Sequence, residues 1–221
     1  MTTRDKHVPL DKLFLNRAFR LLAQRFEEAN IFCEICVYGG SALVYAYELR
    51  GMSMDVDYRI VSLNSNSVPK DMLMQTVRKI IERTGAELGL SSDWMNDGVK
   101  GFAALHEEYN EGVAFGETAI PSLKIMFPTP EYLLAMKCLS MRNESESAHD
   151  KQDILQLIQT IGIDDPEQVM DVVQKFYLLN QLSPRISYGI QEIMATIQSD
   201  IQVEQEEQEE QELNDAYVPE I

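Results

Sequence analysis

Apolar residues recur at Leu13, Phe14, Ala18, Leu21, Leu22 and Phe26, which is the spacing of one helix face. Asp11 stands where a cap belongs. The mostly apolar "IFCEICVY" (31–38) then predicts a strand that Gly39 and Gly40 interrupt. "SALVYAYELR" (41–50) reads as a short helix ended near Gly51, "MDVDYRIV" (54–61) as a second strand and "LNSNSVPK" (63–70) as a loop. "PKDMLMQTVRKIIERTG" (69–85) is amphipathic, with Pro69 near its start and Gly85 just past its end. "SSDWMNDGVKGF" (91–102) reads as a turn or short helix, and "AIPSLKIMF" (119–127) as a third strand, an edge or strand start by its Pro121. From Thr129 the pattern is helical, in four segments: 130–142, 150–162, 165–181 and 183–202. The expected fold is α+β: a small mixed sheet with helices packed on it, then a helical half covering one of its sides. The expected divisions are a sheet domain over 1–128, a helical half over 129–203 and an acidic tail over 204–221.

Composition narrows this picture. The chain has 221 residues, 45% of them apolar, and no apolar run of about 18, so a globular protein without a membrane partner is expected. Its start lacks a signal-peptide core, and the expected location is the cytoplasm. Three cysteines, Cys33, Cys36 and Cys138, argue against a disulfide framework. The scattered His7, His106 and His149 do not complete a zinc site around the C-x-x-C. The net charge is −17; removing the six glutamates of "EQEEQEEQE" (204–212) leaves −11, so the body too is acidic. That disfavours broad nucleic-acid binding, which needs lysine and arginine against phosphate.

The segment "VYGGSALVYAYELRGMSMDVDYRI" (37–60) carries the candidate chemistry. Residues i and i+2 of a strand share a face, so Asp55 and Asp57 project together with Cα atoms about 7 Å apart. Two carboxylates on one face repel and resist burial. Mg²⁺ or Mn²⁺, hard ions that prefer oxygen ligands, would offset that cost. A hydrated, solvent-facing strand side with Val56, Tyr58 and Ile60 buried opposite satisfies the same alternation. Gly39 and Gly40 favour the first reading, because a backbone without Cβ atoms lets a ligand approach closely. Ser41 and the first amides of the following helix then face the turn, as in phosphate-binding helix starts.

"GGSALVYAYELRGMSMDVD" resembles the G-G/S … D-x-D signature of the polymerase-beta-type nucleotidyltransferase superfamily. "LLAMKCLSMRNESESAHDKQDI" is similar to the helical motif of abortive-infection and toxin-type minimal nucleotidyltransferases, in which a Lys, an Arg and then a D-x-x-D follow in order. "DWMNDGVKGF" resembles a W-L-N-D-type segment of a bacterial nucleotidyltransferase-like family. Together the motifs span roughly residues 37–160. The resemblance implies that Gly39, Gly40 and Ser41 hold a nucleoside triphosphate and that Asp55 and Asp57 bind the metal. It further implies that Lys137 touches phosphate and that Asp150 or Asp153 serves as base or further ligand. The implied reaction is nucleotidyl transfer to a hydroxyl of a protein, small molecule or tRNA, in a toxin–antitoxin or phage-defence pair with a cognate antitoxin as partner.

The pattern is departed from at one point. Many superfamily members carry a third carboxylate on a later strand, where this chain has Lys124; Glu117 lies just before it. Without a third acid the chain would be an inactive module of the same fold, binding nucleotide or a protein partner. A third reading is an interaction protein working through its helices and tail. Taken singly, Lys137 suits a solvent-facing helix position, Asp150 a cap, Asp153 a first-turn dipole residue and Trp94 a packing anchor. Asn96 and Asp97 before Gly98 suit a turn.

Overall fold

The computed structural model describes residues 8–101, 103, 109–116, 121–141, 148–178, 180, 182–196 and 199. Glu117, Arg142 and the acidic tail lie outside the described residues. The fold is α+β. By its contacts the chain forms two compact units, Met1–Leu133 and Leu134–Ile221.

The first unit is built on a five-stranded mixed sheet. Helix α1 (Lys12–Glu28) starts where the Asp11 side chain accepts a hydrogen bond from the Phe14 amide at 2.7 Å. Its buried stripe is Leu15, Ala18, Phe19, Leu22, Ala23 and Phe26, so the face is rotated from the expected one: Leu13 is 80% exposed. Strand β1 (Ile31–Tyr38) follows through Asn30, whose φ of 50° reverses the chain. The strand is central. It pairs antiparallel with β2 (Val56–Ser65) and parallel with β5 (Leu123–Pro128). Outside these lie β3 (Met95–Asn96), parallel to β2, and β4 (Tyr109–Phe115), antiparallel to β5, giving the order β3-β2-β1-β5-β4.

Several boundaries differ from the expected ones. The short helix α2 occupies Gly39–Tyr45, beginning at the glycines and ending five residues before Arg50. Residues 46–55 form a loop pinned by a two-way backbone pairing of Ser53 with Leu10, at 2.7 and 3.0 Å. Strand β2 starts at Val56, leaving Asp55 in the turn before it, and runs on through the polar Ser62 and Asn64 to Ser65. The strand read as third is the fifth, because β3 and β4 precede it.

Helix α3 (Lys70–Glu87) buries Leu73, Val77, Ile80, Ile81, Thr84 and Gly85, and packs against α1. An ion pair joins Arg25 to Glu87. Trp94 is 1% exposed; its ring lies on Gly85 and its indole N–H donates to the Ile81 carbonyl at 3.0 Å. The single tryptophan thereby ties α3 to β3.

Helix α4 (Pro130–Leu139) leads into the second unit, with α5 (Ala148–Ile161), α6 (Pro166–Phe176) and α7 (184–196). Asp165 caps α6 by accepting from the Glu167 amide at 2.9 Å. The apolar core of this unit includes Cys138, Ile154, Leu157, Ile158, Val169, Val173, Ile186, Ile190, Ile193 and Met194. No described helix is long and apolar enough to cross a membrane.

Candidate functional site

The two conjectured site clusters fall in different units. Each assembles within its own.

In the first unit, Gly39 sits at the end of β1 with φ +63°, in the left-handed region that favours glycine. A Cβ there would stand 2.7 Å from Oδ2 of Asp57. The Asp57 carboxylate therefore lies directly over the Gly39 backbone, a proximity only glycine permits. The sheet register explains it: Asp57 is the cross-strand partner of Tyr38, the residue before Gly39. Gly40 is equally confined, since a Cβ there would meet Ser53 Oγ at 2.8 Å and Arg50 Nη1 at 3.1 Å. The loop after α2 thus folds back over the glycines and brings the Arg50 guanidinium against them.

Asp55 is held by its backbone. Its carbonyl accepts hydrogen bonds from the Ser41 hydroxyl and, at 3.0 Å, from the Ser53 hydroxyl. Its side chain stays exposed, and Oδ2 accepts from Asn96 Nδ2 at 3.2 Å. Ser41 is only 1% exposed. This corrects the expectation that its side chain faces a phosphate: the hydroxyl works inside the fold, fixing the turn that carries Asp55. The expectation that both aspartates share one strand is also corrected, because only Asp57 is in β2. Val56 and Tyr58 are buried as expected, while Ile60 is half-buried.

Alternation along β1 places Glu34, Cys36 and Tyr38 on the sheet face that carries Asp57. Their register partners on β5 are Lys124, opposite Glu34, and Met126, opposite Cys36. Lys124 forms an ion pair with Glu34 at 2.7 Å. β5 thus supplies this face with no carboxylate. Among the described residues no group of three or more histidine, cysteine, aspartate or glutamate side chains is gathered as a metal cage.

In the second unit, Lys137 of α4 lies between two carboxylates of α5, 2.8 Å from Asp150 Oδ1 and 2.7 Å from Asp153 Oδ2. Three residues apart on a helix, these aspartates share a face. Asp153 is 2% exposed and the Lys137 side chain 13%. Burial by itself would lower the Lys137 pKa, but the Asp153 charge and hydrogen bonds to both carboxylates outweigh it and raise the value above that of an ordinary lysine. Of the four residues named by the helical motif, Arg142 lies outside the described residues, and the other three, Lys137, Asp150 and Asp153, therefore meet. They do so as a buried ion-paired cluster, with Lys137 neither solvent-facing nor reaching out alone toward a phosphate.

The three cysteines are free and buried. Burial pushes each thiol up to about 12. Such thiols are packing residues, not nucleophiles.

Two site residues escaped the sequence reading. Arg50 looked like a helix end. Asn96 looked like a turn residue, yet β3 pairs it with Asp57 and its amide reaches Asp55. The W-M-N-D-G order was the available signal, but its link to Asp55 depends on a strand pairing across 41 residues.

Compared with protein-family models, curated proteins and solved structures, the chain matches none.

Proposed function

We propose that the chain is a metal-dependent nucleotidyltransferase, moving a nucleotidyl group from a nucleoside triphosphate to a hydroxyl. One observation carries the reading. The Asp57 carboxylate lies over Gly39, and the serines that hold the Asp55 carbonyl belong to the same glycine corner. The Asp57 carboxylate and the main chain of Asp55 are thus kept beside a backbone stripped of Cβ atoms. Asp55 and Asp57 fit Mg²⁺ or Mn²⁺, since such ions take one or two protein carboxylates and fill their remaining positions with water and substrate phosphate. Bound there, the ion would neutralise the triphosphate and stabilise charge on the departing pyrophosphate. Gly39 and Gly40 would let the phosphates approach the main chain, with the Arg50 guanidinium supplying positive charge beside Gly40. In the reaction the acceptor oxygen bonds to the α-phosphorus, the bond to pyrophosphate breaks, and the hydroxyl proton leaves to a base. Asp150 and Asp153, the motif residues for that role, are engaged by Lys137 within the second unit.

The test is label transfer. Purified protein, Mg²⁺ and each α-³²P nucleoside triphosphate are incubated with cell extract, and the products separated. Wild type should transfer label to an acceptor, and Asp55→Ala and Asp57→Asn should not. Equal labelling by wild type and both variants would refute the assignment.

A second reading is favoured by β5. Lys124 and Met126 stand on the face where superfamily members carry a further acid, and Lys124 is engaged by Glu34. On that reading the chain is an inactive module that binds a triphosphate or a protein partner. It predicts metal-dependent nucleotide binding, lost in Asp55→Ala, with no transfer to any acceptor.

A further inference from the structure

We propose that Asn96 is a positioning residue of the carboxylate pair, holding one oxygen of Asp55 so that the other is presented to the cation. The inference rests on the metal-binding reading of Asp55 and Asp57.

The two ends of the Asn96 amide have different partners. Asn96 Oδ1 accepts a hydrogen bond from the Gly98 amide at 3.0 Å. A carbonyl oxygen cannot donate, so that bond fixes which end is which, and Nδ2 must face the other way. It faces Asp55 Oδ2, at 3.2 Å. Position 98 serves this arrangement, since a Cβ there would come within 2.9 Å of Asn96 Oδ1. The backbone of Asn96 is fixed as well, because β3 is paired with β2 in a register that sets Asn96 against Asp57. The Val56 amide donates to the Trp94 carbonyl at 2.7 Å, and Trp94 is anchored in α3. The whole segment from Trp94 to Gly98 therefore delivers one oriented amide to one carboxylate.

The chemistry follows from that placement. An amide N–H stabilises a carboxylate without neutralising it, and it occupies one of two equivalent oxygens. Partners of this kind that orient a metal ligand typically matter by 10- to 100-fold in metal affinity.

The test uses Mn²⁺ alone, read by the electron paramagnetic resonance of free and bound ion, on the full chain and on Asn96→Ala, Asn96→Asp and Asp55→Asn. Circular dichroism checks each fold. Asn96→Ala should weaken Mn²⁺ about tenfold. Asn96→Asp, isosteric but with no N–H to give Asp55, is expected to fold even where the alanine variant does not, and should change the spectrum of the bound ion. A purely structural asparagine would leave the spectrum and the affinity of a folded variant unchanged. A folded Asn96→Ala within twofold of wild type, or Asn96→Asp with the wild-type spectrum, would overturn the proposal. Loss of Mn²⁺ in Asp55→Asn without loss in Asn96→Ala leaves the metal site standing and removes only Asn96. A wild type that takes up no Mn²⁺ removes both.

Discussion

Replacing Lys137 with methionine keeps the length of the side chain and deletes its charge. The structure gives the size of the effect. Lys137 is the cation 2.7 Å from Asp153, whose side chain is 3% exposed, and it also serves Asp150 at 2.8 Å. Without it, two acids on one helix face are left together, one of them almost without water. Asp153 must then either stay charged in a poor solvent, at a cost of several kcal/mol, or take up a proton. For an ordinary aspartate at pH 7 the second route costs about 4 kcal/mol. The cheaper route prevails, so the loss should be about 3–5 kcal/mol, the range for breaking a buried pair from one side. Urea unfolding followed by circular dichroism, at pH 7 and pH 5, measures it. Proton uptake is easier at the lower pH by about 2.7 kcal/mol, so the gap between wild type and variant should narrow there. Lys137→Arg should retain most of the stability. A loss below about 1 kcal/mol that is the same at both pH values is what an exposed pair gives, and would refute the buried-cluster account.

Other outcomes follow from the same geometry. Gly39→Ala puts a Cβ 2.7 Å from the Asp57 carboxylate at φ +63°; it should cost about 1–3 kcal/mol in thermal or urea unfolding and weaken Mn²⁺ binding. Gly85→Ala drives a methyl to within 2.4 Å of the Trp94 ring; overpacking of about 1–3 kcal/mol should accompany a shifted tryptophan emission. Cys33, Cys36 and Cys138 should resist a thiol reagent at pH 8 in the native state and all react in denaturant. Their folded values near 12 lie above those of unfolded thiols. Their contribution is therefore complete below about pH 8.5 and is lost as pH rises toward 12, each thiol removing about 1.4 kcal/mol per pH unit. Lys137, also raised, acts in the same direction at higher pH, so stability should fall on the alkaline side of pH 9.

The parts of this fold that sequence reveals are those with a local cause. β1 is a mostly apolar run broken only by Glu34, α3 has a clean amphipathic period between Pro69 and Gly85, and the two glycines mark the corner. What stays hidden depends on distant partners. β3 is two residues long, too short for any periodicity, and exists because its backbone completes the edge of β2. β4 carries a register irregularity between Asn110 and Val113 that breaks alternation. β2 extends through Ser62 and Asn64 because β1 pairs with them, not because they favour strands. In the site, Asp57 beside the glycine corner was legible, whereas Asp55 was expected in the strand and sits in the turn before it. The reason for Gly39 was only half legible: it accommodates Asp57 whether or not a phosphate approaches. The clasp on Lys137 joins residues 13 and 16 positions apart on separate helices, which no single-helix pattern encodes.

The account stands on Asp55 and Asp57 sharing a cation at the glycine corner. The most direct test is a crystal of the protein soaked with Mn²⁺ and a non-hydrolysable nucleoside triphosphate, with anomalous scattering used to locate manganese. The account predicts a manganese peak in contact with both carboxylates and phosphate density beside Gly39 and Gly40. Nucleotide density at some other surface, with no manganese on either aspartate, would contradict it.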